Sequence, residues 1–193
     1  GIILNGSTIT EDGSGYEYIT SYNPAGPVDI SKESDYVATY SVKNKANSDI
    51  CESITRKIKV RILPTVTSFT TATNSGNYKA GEEIVITANT SEDIQKDNTL
   101  NVVLNTTPSA TVTLTAAAAG TTLVGTYTVA AGQNTTALDV SSFTVGTVKD
   151  TEGNDMKSTD LPAEALRFGT KDIVIDTTAP TAAISYSDTG PYK

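Results

Sequence analysis

The sequence predicts an all-β chain of tandem β-sandwiches, and three observations carry that expectation. The composition is rich in threonine, a strand former; short alternating apolar runs recur between turn residues; and one segment repeats at a domain-sized interval. Hydrophobic residues are 37% and aromatics 6% of the 193, which suits a thin two-layer core and not a thick one. Charged residues are 19%, too few for charge-driven disorder.

The repeat sets the organisation. Residues 64–79 read PTVTSFTTATNSGNYK and residues 180–193 read PTAAISYSDTGPYK, with Tyr78 and Tyr192 standing 114 residues apart. A whole domain therefore fits between the two marks, and residues 178–193 read as the first strand of a following repeat.

Between the marks, strand signals fall at Val66–Thr71, Glu83–Thr87, Leu100–Leu104, Thr111–Thr115, Leu123–Val129, Leu138–Val148 and Asp172–Asp176. Seven strands in about 110 residues are the number and size of an immunoglobulin-like sandwich. The alanine run from Ala116 to Ala119 is too short for a stable helix and, followed by Gly120, predicts a turn. Residues 64–177 are thus expected to form a seven-stranded sandwich.

Residues 1–63 predict a smaller unit with strands at Ile2–Leu4, Tyr16–Thr20, Tyr36–Val42 and Ile54–Ile62. The last alternates apolar and basic residues, so one face is expected buried and the other wet. About sixty residues is marginal for an independent core. Only Leu63-Pro64 separates the units, a short junction that predicts a semi-rigid rod.

These residues carry two resemblances that together span essentially the whole chain. Leu4-Asn5-Gly6, the run Tyr36 to Val42, Asn44 and the run Thr55 to Val60 resemble short bacterial immunoglobulin-like domains of the DUF5011/HYR-like group. In place of that group's usual Asp and Gly-Asn pair stand Asn44 and Ala46-Asn47-Ser48. The run Tyr78 to Thr87, Ser91-Glu92, Asp150 to Asn154 and Ile175 to Thr181 resemble the large immunoglobulin-like repeats of prokaryotic adhesins and S-layer-type surface proteins. The resemblance implies an extracellular structural or adhesive array on a prokaryotic cell surface, and no particular ligand.

Several functions are excluded by the residues themselves. The chain has no histidine, which removes histidine triads, zinc–histidine sites and histidine acid–base chemistry, so no enzyme is expected. A net charge of −8 and an absence of basic runs with interleaved aromatics argue against nucleic acid. No segment is apolar enough for membrane insertion. The single cysteine, Cys51, allows no intrachain disulfide and is expected to be a small buried hydrophobe. The abrupt start at Gly1 and stop at Lys193 read as an excerpt of a larger protein.

Calcium is the one cofactor the sequence suggests. Asp150, Glu152, Asn154 and Asp155 crowd oxygen ligands into a tight turn, as a hard cation requires. In the seven-strand topology this turn joins the last two strands, and the loop holding Asp93 and Asp97, between the second and third, falls at the same pole. The competing reading is a plain Asx turn, with Gly153 supplying positive φ and Asp150 bonding its own backbone. Asp176, four residues before Pro180, marks a junction where related repeats often place a bridging cation, whereas Val60 holds the matching position before Pro64.

Four Asn-x-Ser/Thr sequons, at Asn5, Asn89, Asn105 and Asn134, are about what chance gives for this composition. Tyr16, Tyr18 and Tyr22 are close enough for a small aromatic patch, or for strand core. The strand expected at Thr181–Ser187 must pair either within its own chain or with a neighbouring molecule. The expected partners are therefore adjacent repeats or further copies of the chain, with a host-cell or glycan ligand at a distal site. Three functions are compatible with these features: a structural or adhesive rod segment stiffened by calcium, a self-assembling filament subunit that exchanges strands, or a carbohydrate- or protein-binding module.

Overall fold

The computed structural model describes residues 2–4, 7–9, 15–168, 171–185 and 190, and the chain divides into two compact units, Gly1–Ile62 and Leu63–Lys193. Every regular element among the described residues is a strand, apart from one 3₁₀ turn at Glu164–Leu166. The chain is all-β.

The first unit contains a short hairpin, β1 (Ile2–Leu4) with β2 (Ser7–Ile9), and a three-stranded antiparallel meander. The meander runs β3 (Tyr16–Asn23), β4 (Ser34–Asn44), β5 (Ile50–Val60). Register pairs Tyr18 with Val42, Tyr22 with Ala38 and Tyr36 with Ile58, so strand alternation puts all six on one face. Asn44 starts the turn between β4 and β5: its side-chain oxygen accepts the Ala46 N–H at 2.9 Å and its carbonyl accepts that of Ser48 at 2.8 Å.

This core is thinner than the alternation at 54–62 suggests. Only Tyr36 and Ala38 are fully buried among the unit's described side chains, and Ile54 stays 45% exposed. Three strands offer too little facing surface to cover their own apolar side. Cys51 is also exposed, contrary to expectation, because residues 50–57 of the edge strand β5 are exposed on both faces.

The second unit is larger. Its strands are β6 (Val66–Thr70), β7 (Gly76–Tyr78), β8 (Glu83–Ile94), β9 (Thr99–Leu104), β10 (Thr111–Thr115), β11 (Gly120–Thr128), β12 (Val140–Thr147) and β13 (Ile173–Ile175). Six form one sheet in the order β12-β9-β10-β11-β8-β6, and β13 pairs with β7 in parallel. Alternation dictates the core: Ile84, Ile86 and Ala88 of β8 and Leu100, Val102 and Leu104 of β9 are all fully buried.

Two bulges keep this pattern in phase. Register shifts between Val66 and Ser68 and between Val140 and Ser142 let residues three apart, Val66 with Phe69 and Val140 with Phe143, face the core together. The sheet then folds on itself at β10, which pairs with β9 along its whole length but meets β11 only at Thr115 and Val124. Gly125 permits that close crossing: a Cβ there would lie 2.5 Å from the Thr113 carbonyl oxygen. Folding brings the two ends of the sheet together, and Phe69 of β6 meets Phe143 of β12 edge to face at 5.7 Å.

Residues 181–185, where a strand is expected, carry no strand, and Ile184 is 97% exposed; Ser187 lies outside the described residues.

Candidate functional site

The acidic hairpin lies between β12 and β13. Its stem is closed by a bridge between Lys149 and Asp155 and by the Met156 N–H donating to the Val148 carbonyl at 2.8 Å. At its tip the Gly153 N–H donates to the Asp150 carbonyl at 3.1 Å, and Gly153 takes φ +92°, which a side chain disfavours. The Asp150 carboxylate is 1% exposed. It accepts the Asn154 backbone N–H at 2.7 Å on one oxygen and the Asn154 side-chain amide at 2.7 Å on the other. Each carboxylate oxygen thus accepts one amide hydrogen.

The remaining carboxylates disperse. Asp155 is held by Lys149 and by Lys157 at 3.2 Å, and hydrogen bonds from these two ammonium groups, Lys149 first, lower its pKa from the ordinary 3.8. Glu152 is exposed and accepts the Thr151 hydroxyl at 2.9 Å. Asp93 lies in β8, which runs on to Ile94 where a loop is expected, and it meets the hairpin through its backbone carbonyl, 3.1 Å from the Thr151 nitrogen. Asp97 is exposed at φ +64°, and its N–H donates to the Ala116 carbonyl at 2.8 Å. Asp176 accepts the Thr178 N–H at 2.9 Å, beside Tyr78 and away from the hairpin.

The two loops do converge on one pole, but through amides. The Gln95 N–H donates to the Lys149 carbonyl at 2.9 Å, its side-chain amide to the Asp150 carbonyl at 2.9 Å, and the buried Asn98 amide to the Lys149 carbonyl at 2.8 Å. Among the described residues, no three His, Cys, Asp or Glu side chains gather closely enough to hold a metal ion. Sequence reasoning passed over Gln95 and Asn98. The only signal was amide residues flanking Asp97 in a tight connection.

The opposite pole holds a second network. Thr177 donates its N–H to Asn134 Oδ1 at 2.8 Å and its hydroxyl to the Gln133 carbonyl at 3.1 Å, and its Oγ1 accepts the Gly132 N–H at 2.9 Å. The Thr178 hydroxyl donates to the same Asn134 oxygen at 3.3 Å. Ile175 exchanges both backbone bonds with Thr135 at 2.9 Å. Gln133 is itself buried, its Oε1 accepting the Tyr127 hydroxyl at 2.7 Å. Ile175, Thr177 and Thr178 are therefore fastened one after another to the loop before β12.

Three of the sequon asparagines prove to be structural clamps. The Asn89 amide donates to Ser68 Oγ at 3.0 Å, that of Asn105 to the Ala137 carbonyl at 2.8 Å, and that of Asn134 to the Gly132 carbonyl at 3.2 Å. Asn5 lies outside the described residues. Tyr16 is 40% exposed while Tyr18 and Tyr22 are half-buried, on the face they share with Tyr36.

No family model matches the chain, so neither resemblance is extended by that comparison. No curated protein matches it either. Among solved structures, the S-layer protein SbsC domains 4 and 5 match over 77% of this chain and 78% of that chain, at 17% identity and a TM-score of 0.26. A superposition this loose defines neither family nor function.

Proposed function

We propose that the chain is a non-catalytic structural segment of a large extracellular surface protein, built from tandem immunoglobulin-like sandwiches that space or tile a cell surface. One observation carries the reading. In the second unit Thr65 and Thr177 lie at opposite poles, and the backbone is fastened at both. At the first pole Thr65 and Ser91 lock: the Thr65 N–H donates to Ser91 Oγ at 3.0 Å, and the Ser91 N–H to the Thr65 carbonyl at 2.9 Å. At the far pole Thr177 is tied to Asn134, Gln133 and Gly132. A module so built transmits position from one neighbour to the next.

The strand order supports an immunoglobulin-like assignment, with β6-β8-β11 as one layer, β10-β9-β12 as the other and β13 beside β7. In this reading residues 1–63 and 64–177 are successive domains and 178–193 begin a third. The acidic hairpin works as a self-closed turn, with Asn154 bonded to both oxygens of Asp150. The lack of histidine in the sequence supports a non-catalytic role. Labelling intact source cells with antibody to the second unit tests the location: the expected result is labelling without permeabilisation, and labelling only after permeabilisation contradicts it.

A second reading, a filament subunit that donates a strand, is favoured by the near-complete exposure of Ile184. Solution mass against concentration separates the two: a chain monomeric throughout rules out strand donation, and growing polymers rule out the simple spacer.

A further inference from the structure

We infer that the second unit is a force-bearing module whose resistance to extension resides in the parallel pair β7–β13 and the Thr177 lock beyond it. The inference rests on the reading of the chain as a tethered surface segment and adds a mechanical activity to it.

Connectivity determines the geometry of loading. The chain comes in at Thr65, beside Ser91, and leaves after Asp176, whose N–H donates to the Tyr78 carbonyl at 2.9 Å. The exit end lies beside Gly81 and Glu82, where Gly81 donates to the Val129 carbonyl at 2.9 Å and Val129 to that of Glu82 at 2.9 Å. Strand β8 spans the distance from Glu83 to Ser91, which at about 3.3 Å per residue is about 26 Å. A pull on the two flanking segments therefore acts along β8, in opposite directions at its two ends.

Within that field β6 and β7 belong to the incoming segment and β13 to the outgoing one. β7 and β13 run parallel, Gly76 opposite Ile173, Asn77 opposite Val174 and Tyr78 opposite Ile175. One strand is dragged from its N-terminal side and its parallel neighbour from its C-terminal side, so they must slide past each other. The bonds between them are evenly spaced and slanted, and are loaded together in shear. A hairpin pulled at its open end would instead lose its bonds one by one.

The surroundings extend the shear zone in both directions. Before β13, Arg167 forms a parallel bridge with Phe69, and the Phe168 N–H donates to the Phe69 carbonyl at 2.7 Å. Arg167 is anchored in turn by Asp139, with Nε 3.0 Å from each carboxylate oxygen and Nη2 2.9 Å from one of them. Ile173 and Ile175 are each 1% exposed in the core. After β13 the Thr177 lock must release before β13 can slide.

Forced unfolding reports the barrier to opening rather than equilibrium stability. The test is single-molecule extension of the full chain through handles at its two ends. Three variants are compared: Asp176→Pro, which deletes the N–H that donates to Tyr78; Thr177→Val, which deletes the hydroxyl of the lock; and Leu100→Ala, a core truncation in β9. Each is first placed on a common scale by chemical denaturation. The expected result is that Asp176→Pro and Thr177→Val lower the peak unfolding force of the second unit more, per unit of lost stability, than Leu100→Ala does. Equal losses per unit of stability, or a larger one for Leu100→Ala, would overturn the clamp. Neither outcome depends on intact-cell labelling, so failure of the clamp and failure of the surface location are read separately.

Discussion

Asn134 accepts the backbone N–H of Thr177 at 2.8 Å on the same side-chain oxygen that receives the Thr178 hydroxyl, across 43 positions of sequence. One amide thereby orients the segment that follows β13. Its own N–H₂ group donates to the Gly132 carbonyl at 3.2 Å, which fixes the amide's orientation. Replacing Asn134 with Ala leaves the Thr177 N–H without its acceptor, at a cost of about 1–2 kcal/mol for a partly buried donor. Chemical denaturation of Asn134→Ala checks this, and an unchanged stability would show that the Thr177 N–H does not depend on that acceptor.

The hairpin at the other pole should be indifferent to calcium. Both oxygens of Asp150 are engaged by Asn154, and Asp155 is held by two lysines. Melting curves in calcium and in EDTA at matched ionic strength should therefore coincide, whereas a cation bound only by the native state would raise the midpoint. Asp150→Ala should lower stability by about 1–3 kcal/mol in either buffer, because two donors lose a buried acceptor.

Acid should act partly through Asp155, whose pKa is depressed below the ordinary 3.8, chiefly by the hydrogen bond from Lys149 and then by that from Lys157. A depressed carboxylate pKa contributes stability that is complete above the unfolded value and is lost as pH falls through the folded one. The effect is therefore confined to pH below about 4. Asp35, lowered mainly by its hydrogen bond from Arg61, behaves the same way in the first unit. Asp155→Asn should shallow the acid limb of the second unit's stability profile, and an unchanged limb would assign it to other carboxylates.

Alkaline conditions act in the opposite sense on Tyr127. Burial raises its pKa above 10.0, against a smaller lowering by the Thr106 hydroxyl. Its neutral form contributes stability that is complete below pH 10.0 and is lost as pH rises through the higher folded value. Tyrosinate absorbance should show one tyrosine titrating late, and Tyr127→Phe should abolish that late phase.

Much of the fold was legible because alternation survives in single segments. Ile84, Ile86 and Ala88, or Leu100, Val102 and Leu104, declare their strands without help from the rest of the chain. Strand β7 was not legible, since Gly76-Asn77-Tyr78 is too short to show a period, and its partner Ile173–Ile175 lies far along the sequence. The bulges after Val66 and Val140 break the period locally and are set by tertiary packing. At the acidic hairpin the turn chemistry of Asp150 and Gly153 could be read, because an Asx turn is local. What the sequence could not convey is that carboxylates on neighbouring loops would turn outward while Gln95 and Asn98 made the connection. Asn134 drew notice only as a sequon, since its partner Thr177 is close in the fold and distant in the chain.

The central claim, that the chain leaves the second unit through a locked exit, is tested most directly by amide hydrogen exchange of the full chain under native conditions. The amides of Ile175, Asp176 and Thr177, bonded to Thr135, Tyr78 and Asn134, should exchange only when the whole unit opens, at the rate of core amides such as Ile86. Residues 181–185, with Ile184 exposed, should exchange freely. If Thr177 exchanges as fast as that segment, the exit is loose and the unit cannot pass position or force to a neighbouring repeat.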